Sequence, residues 1–371
     1  MHLALGLLLF NVNQWLALSV ILYTVFRFKV LSSNGTSIGA PMFLLCISML
    51  FFFLISVSNE SMDLPSCMCM CFTSCLLFIS GWKLSSRIND ERTNLYFFSI
   101  ISCALALPHI VVTFQDILHS GLINEGRRLA ILDEDLQMDT TLRVIFLSLS
   151  MIGTSFLFWN SEGNREYTRF KYIIAIVSVM ALFCCLHYLS RTGLFLFAMP
   201  LALSFLWSRR KISFSTIAII VIIVAGIQVF GNSELFTLYQ AREKDYSSVS
   251  NFGGRDERWL TAIAFILNNP FGSSLSNTIY AHNMWLDFGK DGGIISFILL
   301  VLFSLYCYFT LFSSVMHRRL KGVVAFMCVV YTIQMFSSNF TECIHEGARG
   351  FLYVYFLLTG YITGYCKKSN L

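Results

Sequence analysis

Apolar residues run through this chain in long stretches, and polar residues collect in the connectors between them. A bilayer core takes roughly 20 mostly apolar residues per helix. Runs of that kind lie at 2–26, 39–57, 64–82, 95–114, 142–160, 169–189, 192–208, 213–230, 294–313, 322–338 and 349–366. The pattern predicts one all-α polytopic membrane domain over residues 1–371, with about eleven transmembrane helices. The first run lacks a basic leader and a small-residue cleavage site, so it reads as a retained helix, although Asn11, Asn13 and Gln14 interrupt it. One interval breaks the rhythm. From Gly231 to Gly293 the chain is a long polar loop, and loops of that length are usually kept for work.

The connectors give the expected sidedness. Basic ones (Arg27 and Lys29; Lys83, Arg87 and Arg92; Arg165, Arg169 and Lys171; Arg209, Arg210 and Lys211; Arg318, Arg319 and Lys321; Lys367 and Lys368) alternate with acidic or weakly charged ones. The positive-inside rule then predicts an external N-terminus and a cytoplasmic C-terminus. The long loop, the acidic 115–141 connector and Arg191 all fall on the external side. The alternation changes if the first run is two half-helices.

Composition narrows the class. The chain is 56% hydrophobic with 36 Phe, and its 13% charged residues compare with about 25% in soluble domains. A net charge of +5 is spread as topology signals beside apolar runs, which disfavours nucleic-acid binding. Most of the 12 cysteines lie inside apolar runs, and no disulfide framework is readable. Cys67, Cys71 and Cys75 would share a helix face, as a metal site or as small polarizable packing residues. Ionisable residues inside the runs are scarce, with His109 and His187 the main candidates, each read as a packing histidine or a proton carrier.

The polar loop holds the candidate chemistry. Asp256 to Asn268 can form a helix with Trp259, Ile263 and Ile266 on one face, lying on the membrane surface. Asn268-Asn269-Pro270-Phe271-Gly272 should stop it. His282-Asn283 precedes Met284-Trp285-Leu286, expected to turn back onto the bilayer, and Gly289, Gly292 and Gly293 would give a flexible lead into the next span. Arg255 follows two glycines, so its guanidinium and nearby amides could hold a phosphate; it could equally be a solvated charge beside Asp256, Glu257 and Arg258. Arg191 lies on the side the positive-inside rule disfavours, either to grip an anion bidentately or to snorkel to lipid phosphates. His282 carries an imidazole, which unperturbed is able to take a hydroxyl proton near neutral pH, or it could be structural; no second His or Cys has ligand spacing to it. A last external loop offers Glu342, His345, Glu346 and Arg349 as secondary contributors.

Taken in order, Ser190-Arg191 at a helix boundary, Gly254-Arg255 followed by Trp259, Asn269-Pro270-Phe271-Gly272, and His282-Asn283 with Leu286 and Gly289 resemble the O-antigen ligase and polymerase superfamily of the bacterial inner membrane. The resemblance covers roughly residues 185–312. It implies a GT-C-like glycosyltransferase acting at the periplasmic face on undecaprenyl-diphosphate-linked glycans, without nucleotide sugar, cofactor or metal. By that resemblance Arg191 and Arg255 hold the donor diphosphate and His282 is the general base. Arg258, Trp259, Asn283, Ser190 and Glu346 are expected to bind substrate. A chain-length regulator and a flippase are the implied partners. The chain departs from an arginine, ten residues, then glycine pattern described for some polymerases: Ile266 and Ala202 stand where the glycines would be. The loop carries no extra folded insert, which favours a polymerase joining repeat units over a ligase that moves the chain to lipid A core. A transporter is the competing class, and the scarcity of carboxylates within the runs counts against ion coupling.

Overall fold

The computed structural model describes residues 2–9, 13–32, 39–88, 90–121, 140–150, 165–188, 190–208, 255–320, 322–342, 344 and 349–368. The predicted run at 213–230, and 142–160 beyond Ser150, lie outside these residues. Within them the helices are α1 (His2–Leu9), α2 (Gln14–Arg27), α3 (Gly39–Ser58), α4 (Leu64–Arg87), α5 (Glu91–Ser120), α6 (Thr140–Ser150), α7 (Arg165–His187), α8 (Arg191–Ser208), α9 (Arg255–Asn268), α10 (Met284–Met316), α11 (Gly322–Thr341) and α12 (Arg349–Lys368). No strand occurs among the described residues. Five helices there are long and apolar enough to cross a membrane: Gly39–Ser58, Leu64–Arg87, Glu91–His119, Met284–Met316 and Gly322–Thr341. The protein is an all-α polytopic membrane protein. It divides into two compact units, Met1–Leu105 with Glu257–Leu371, and Ala106–Asp256.

In the first unit, the 2–26 run is two helices instead of the single span expected. Asn13 caps α2, its Oδ1 accepting from the Trp15 and Leu16 amides at 3.0 Å, and Asn is among the strongest N-caps. A Cβ on Gly6 would sit 2.6 Å from Ile21 Cγ1, so α1 and α2 fold back on each other. Their lengths, about 12 and 21 Å, fall short of a hydrocarbon core of about 30 Å.

Small residues allow the tightest contact of this unit, α4 against α12. Gly81 lies on the Leu357 carbonyl, Gly360 on the Phe78 carbonyl and Gly364 on Trp82, with no room for a side chain at any of them. Gly360 and Gly364 form a G-x-x-x-G pair, the spacing that lets apolar helices approach at backbone distance. The cysteines of α4 fill its contact with α3: Cys71 Sγ is 3.4 Å from the Met49 carbonyl, and Cys46 and Cys75 Sγ are 4.0 Å apart.

Helix α10 is two segments joined at Gly293, whose φ of 75° and ψ of 174° are not helical. Trp285 Nε1 donates to Ser304 Oγ at 2.9 Å across 19 residues, a separation of about 28 Å in a straight helix. The segment Met284–Gly292 therefore doubles back along the spanning segment that follows. A Cβ on Gly289 would lie 3.1 Å from Phe297 Cβ, and Gly292 presses on Phe52 of α3. The expected flexible glycine lead is instead a close-packed corner, because each glycine admits a neighbour that a side chain would exclude.

Candidate functional site

The corner is built from the end of the polar loop. Helix α9 buries Ala262 and Ile266 against Ala281 and Leu286, with Trp259, Ile279, Ile294 and Phe297 around them. The stop expected after Asn268 is present. Asn269 donates from N and Nδ2 to the Phe265 carbonyl at 2.8 and 3.0 Å, and Gly272 turns with φ 72°. The turn is then pinned from two sides. Pro270 O accepts from the Ile294 amide at 2.9 Å, and Phe271 O accepts from Asn59 Nδ2 at 2.6 Å. A short 3-10 helix, Ser274–Thr278, leads to His282.

His282 is half-buried with a φ of 51°, in the left-handed region that is uncommon for any non-glycine residue. Asn283 next to it caps α10, its Oδ1 accepting from the Trp285 and Leu286 amides at 3.1 and 3.2 Å. Two charged residues on the first turns of α10 then reach back to the loop. Fully buried Asp287 accepts from the Ala281 amide at 3.3 Å through Oδ1. Fully buried Lys290 donates through Nζ to the Ile279 carbonyl at 2.5 Å and the Ser276 carbonyl at 3.2 Å, and lies 5.6 Å from the Tyr280 ring centroid. Neither residue is singled out from the sequence alone. The expectation that Met284-Trp285-Leu286 lies on the bilayer is corrected as well: all three are buried in protein as the start of α10.

Beside Asn283 opens an apolar groove of about 330 Å³, lined by α9, α10 and α11. Its wall is a chain of aromatic rings. Trp259 meets Phe340 at 4.7 Å between centroids, Phe340 stacks on Phe336 at 5.6 Å, and Phe336 touches Trp285 at 5.6 Å and Tyr308 at 5.8 Å. Behind it Ser304 Oγ and the Tyr355 hydroxyl are 2.9 Å apart and satisfy each other. Trp259 Nε1 is buried and makes no hydrogen bond.

Of the residues singled out in the sequence, Trp259 and Asn283 line the groove and His282 precedes Asn283 in the chain. Arg255 is the first residue of α9, one turn before Trp259 on the same helix face. Arg258 is exposed on the same helix. Ser190 caps α8 by accepting from the Gly193 amide at 3.1 Å, and Arg191 is the first residue of that helix, its side chain outside the described residues. Glu346 and His345 also lie outside them, while Glu342 is buried at the end of α11. Ser190 and Arg191 belong to the second unit.

That unit has a buried polar cluster of its own. His187 Nε2 lies 3.0 Å from Asp116 Oδ2, both side chains fully buried, and Tyr188 and Thr113 hydroxyls are 2.8 Å apart. Buried Arg143 is within electrostatic reach of Asp116 and Tyr188, and His109 stacks on Phe146 at 4.6 Å. The scarcity of buried charge expected from the sequence is therefore corrected: α5 continues past the predicted end at 114 and takes Asp116 inside with it.

No curated protein matches the chain. Residues 175–301, which run from α7 through α9 and His282 into the spanning part of α10, match the family model described as O-antigen ligase. Over that stretch, about a third of its length, the chain is similar to the O-antigen ligase family.

Proposed function

We propose that the protein is a membrane glycosyltransferase that polymerises a surface polysaccharide, using an undecaprenyl-diphosphate-linked glycan as donor. The observation that carries this reading is the half-buried His282, held at φ 51° in the chain beside the aromatic groove. Unusual backbone held by its surroundings is a frequent mark of a working residue. An apolar groove is a natural seat for part of a lipid-linked donor, and the unbonded indole N–H of Trp259 is available to a sugar hydroxyl or phosphate oxygen.

In this reaction the acceptor hydroxyl oxygen attacks the anomeric carbon, and His282 takes its proton. The bond from that carbon to the diphosphate oxygen breaks, and the lipid diphosphate leaves with the electron pair. Arg255 and Arg191 stabilise the developing charge, a role suited to guanidinium forks. Arg258, Trp259, Ser190 and Glu346 contribute to binding. Asn283 acts mainly through the helix cap, since its Oδ1 is already occupied there. The Gly231–Gly293 loop carries much of this site and faces the periplasm, with the C-terminus in the cytoplasm. With α1 and α2 folded back on each other, residue 2 lies on the side of Arg27, which replaces the external N-terminus expected from the sequence; the sidedness of the connectors from Arg27 onward is kept. The chain would sit in the inner membrane with a flippase and a chain-length regulator as partners.

The description of the matched family favours a second reading, in which the same donor is transferred to lipid A core. Gel analysis of lipopolysaccharide from a deletion strain separates the two. Core bearing a single repeat supports the polymerase; core bearing no O-antigen supports the ligase. Purified protein that leaves lipid-linked glycans unchanged in length and acceptor would end both readings in favour of a transporter.

A further inference from the structure

We propose that Lys290 and Asp287 are positioning residues that hold His282 in its working orientation, an inference that rests on the reading of His282 as the base. They stand one turn apart on one face of Met284–Gly292, and both are fully buried. Between them they bind the backbone of Ser276, Ile279 and Ala281, the last of which precedes His282. Asn283 fastens the other flank through the cap of α10. His282 is thus gripped on both sides by the first turns of one helix, and the left-handed φ is sustained by that grip.

The chemistry fits a clasp better than a second acid or base. A buried ammonium is costly unless its protons are taken, and here two carbonyls and an aromatic ring face it. An ammonium directed at the backbone carbonyls of Ser276 and Ile279 is spent on holding the loop. The buried carboxylate of Asp287 likewise gives its Oδ1 to an amide that α10 does not supply for itself. Without the clasp the 276–282 stretch keeps its sequence but loses its fixed path over α10, and the imidazole loses its aim. Misplacement of a base by about 1 Å costs on the order of a hundredfold in rate while leaving donor binding in place.

The test uses the full-length protein in detergent or nanodiscs with lipid-linked repeat units. Lys290→Met keeps the length of the side chain and removes the donor; Asp287→Asn keeps the shape and removes the charge. Both are expected to lower kcat at least about tenfold with donor KM changed by less than roughly twofold. Carbethoxylation of the His282 peptide, followed by mass spectrometry, should change rate in both variants, while the His317 peptide reacts as in the wild type. Wild-type kcat and unaltered His282 reactivity in either variant present in the membrane would overturn the clasp, as would kcat and KM worsening together. If Lys290→Met does not accumulate, Asp287→Asn decides. His282→Ala is run alongside. Wild-type turnover there removes the assignment of His282 as base, and the clasp is then judged on the carbethoxylation rates alone.

Discussion

Two histidines sit in polar clusters, one in each unit, and the contrast between them separates a structural role from a chemical one. His187 is fully buried, with Nε2 at 3.0 Å from a fully buried Asp116. His282 is half-buried, has a left-handed backbone, and directly precedes a groove-lining residue. Around His187 the polar side chains pair with one another, His187 with Asp116 and Tyr188 with Thr113. Around His282 the buried charges of Asp287 and Lys290 are turned instead to the backbone that carries it. A fully buried pair of side chains specifies packing; a network that fixes a partly exposed imidazole leaves that imidazole available for work.

The sharpest way to break the contrast is to remove each ring in turn. His282→Ala should lose roughly 10²–10⁴-fold in glycan transfer, the usual contribution of a general base, with membrane abundance unchanged. His187→Ala should cost about 1–3 kcal/mol of stability by leaving Asp116 without that partner, yet keep turnover per folded molecule. Thermal denaturation and lipid-linked transfer assays on both variants give the answer. A His187 variant that folds normally but does not turn over would reverse the two assignments.

A smaller effect is expected at the α10 corner. Gly293 has φ 75°, and a Cβ there would stand 2.6 Å from the Pro270 carbonyl oxygen. Gly293→Ala should therefore cost about 1–2 kcal/mol in backbone strain alone, with further cost from the contact. The corner sets how Met284–Gly292 lies on its spanning partner, so the expected outcome is a lower melting temperature together with slower transfer. A change confined to stability would mean that the hairpin supports folding without setting the site.

How much of this was legible beforehand follows from what periodicity can carry. Long apolar runs announced α3, α4, α5, α11 and α12 to within several residues, because lipid demands unbroken apolarity. The helix at Arg255–Asn268 and its stop at Asn269-Pro270 were readable from spacing and turn residues. The hairpin at 2–26 was signalled by the break at Asn11, Asn13 and Gln14, and the capping chemistry of Asn13 is easily lost inside an apolar run. The G-x-x-x-G spacing of Gly360 and Gly364 is a packing signal that went unread in the sequence, and only the structure names α4 as the partner. Asp287 and Lys290 were opaque for a deeper reason. Their partners are carbonyl and amide groups, which every residue has, so no residue type at 276–281 points to them. His282 was visible as a residue type, whereas its φ follows from a clasp that the sequence does not print.

The smallest effect tests whether the groove or only the corner matters to the His282 side of the contrast. Trp285 both lines the groove and donates to Ser304 Oγ at 2.9 Å. Trp285→Phe keeps an aromatic wall against Phe336 and removes that donor. Ser304 retains its partners at the Leu300 carbonyl and the Tyr355 hydroxyl, so no buried group is stranded. The expected loss is about 1 kcal/mol of stability, the net worth of one hydrogen bond, with little change in transfer rate. A much larger fall in donor affinity at normal stability would assign the indole itself to the lipid-linked donor, and the working surface would then extend from His282 down the aromatic wall.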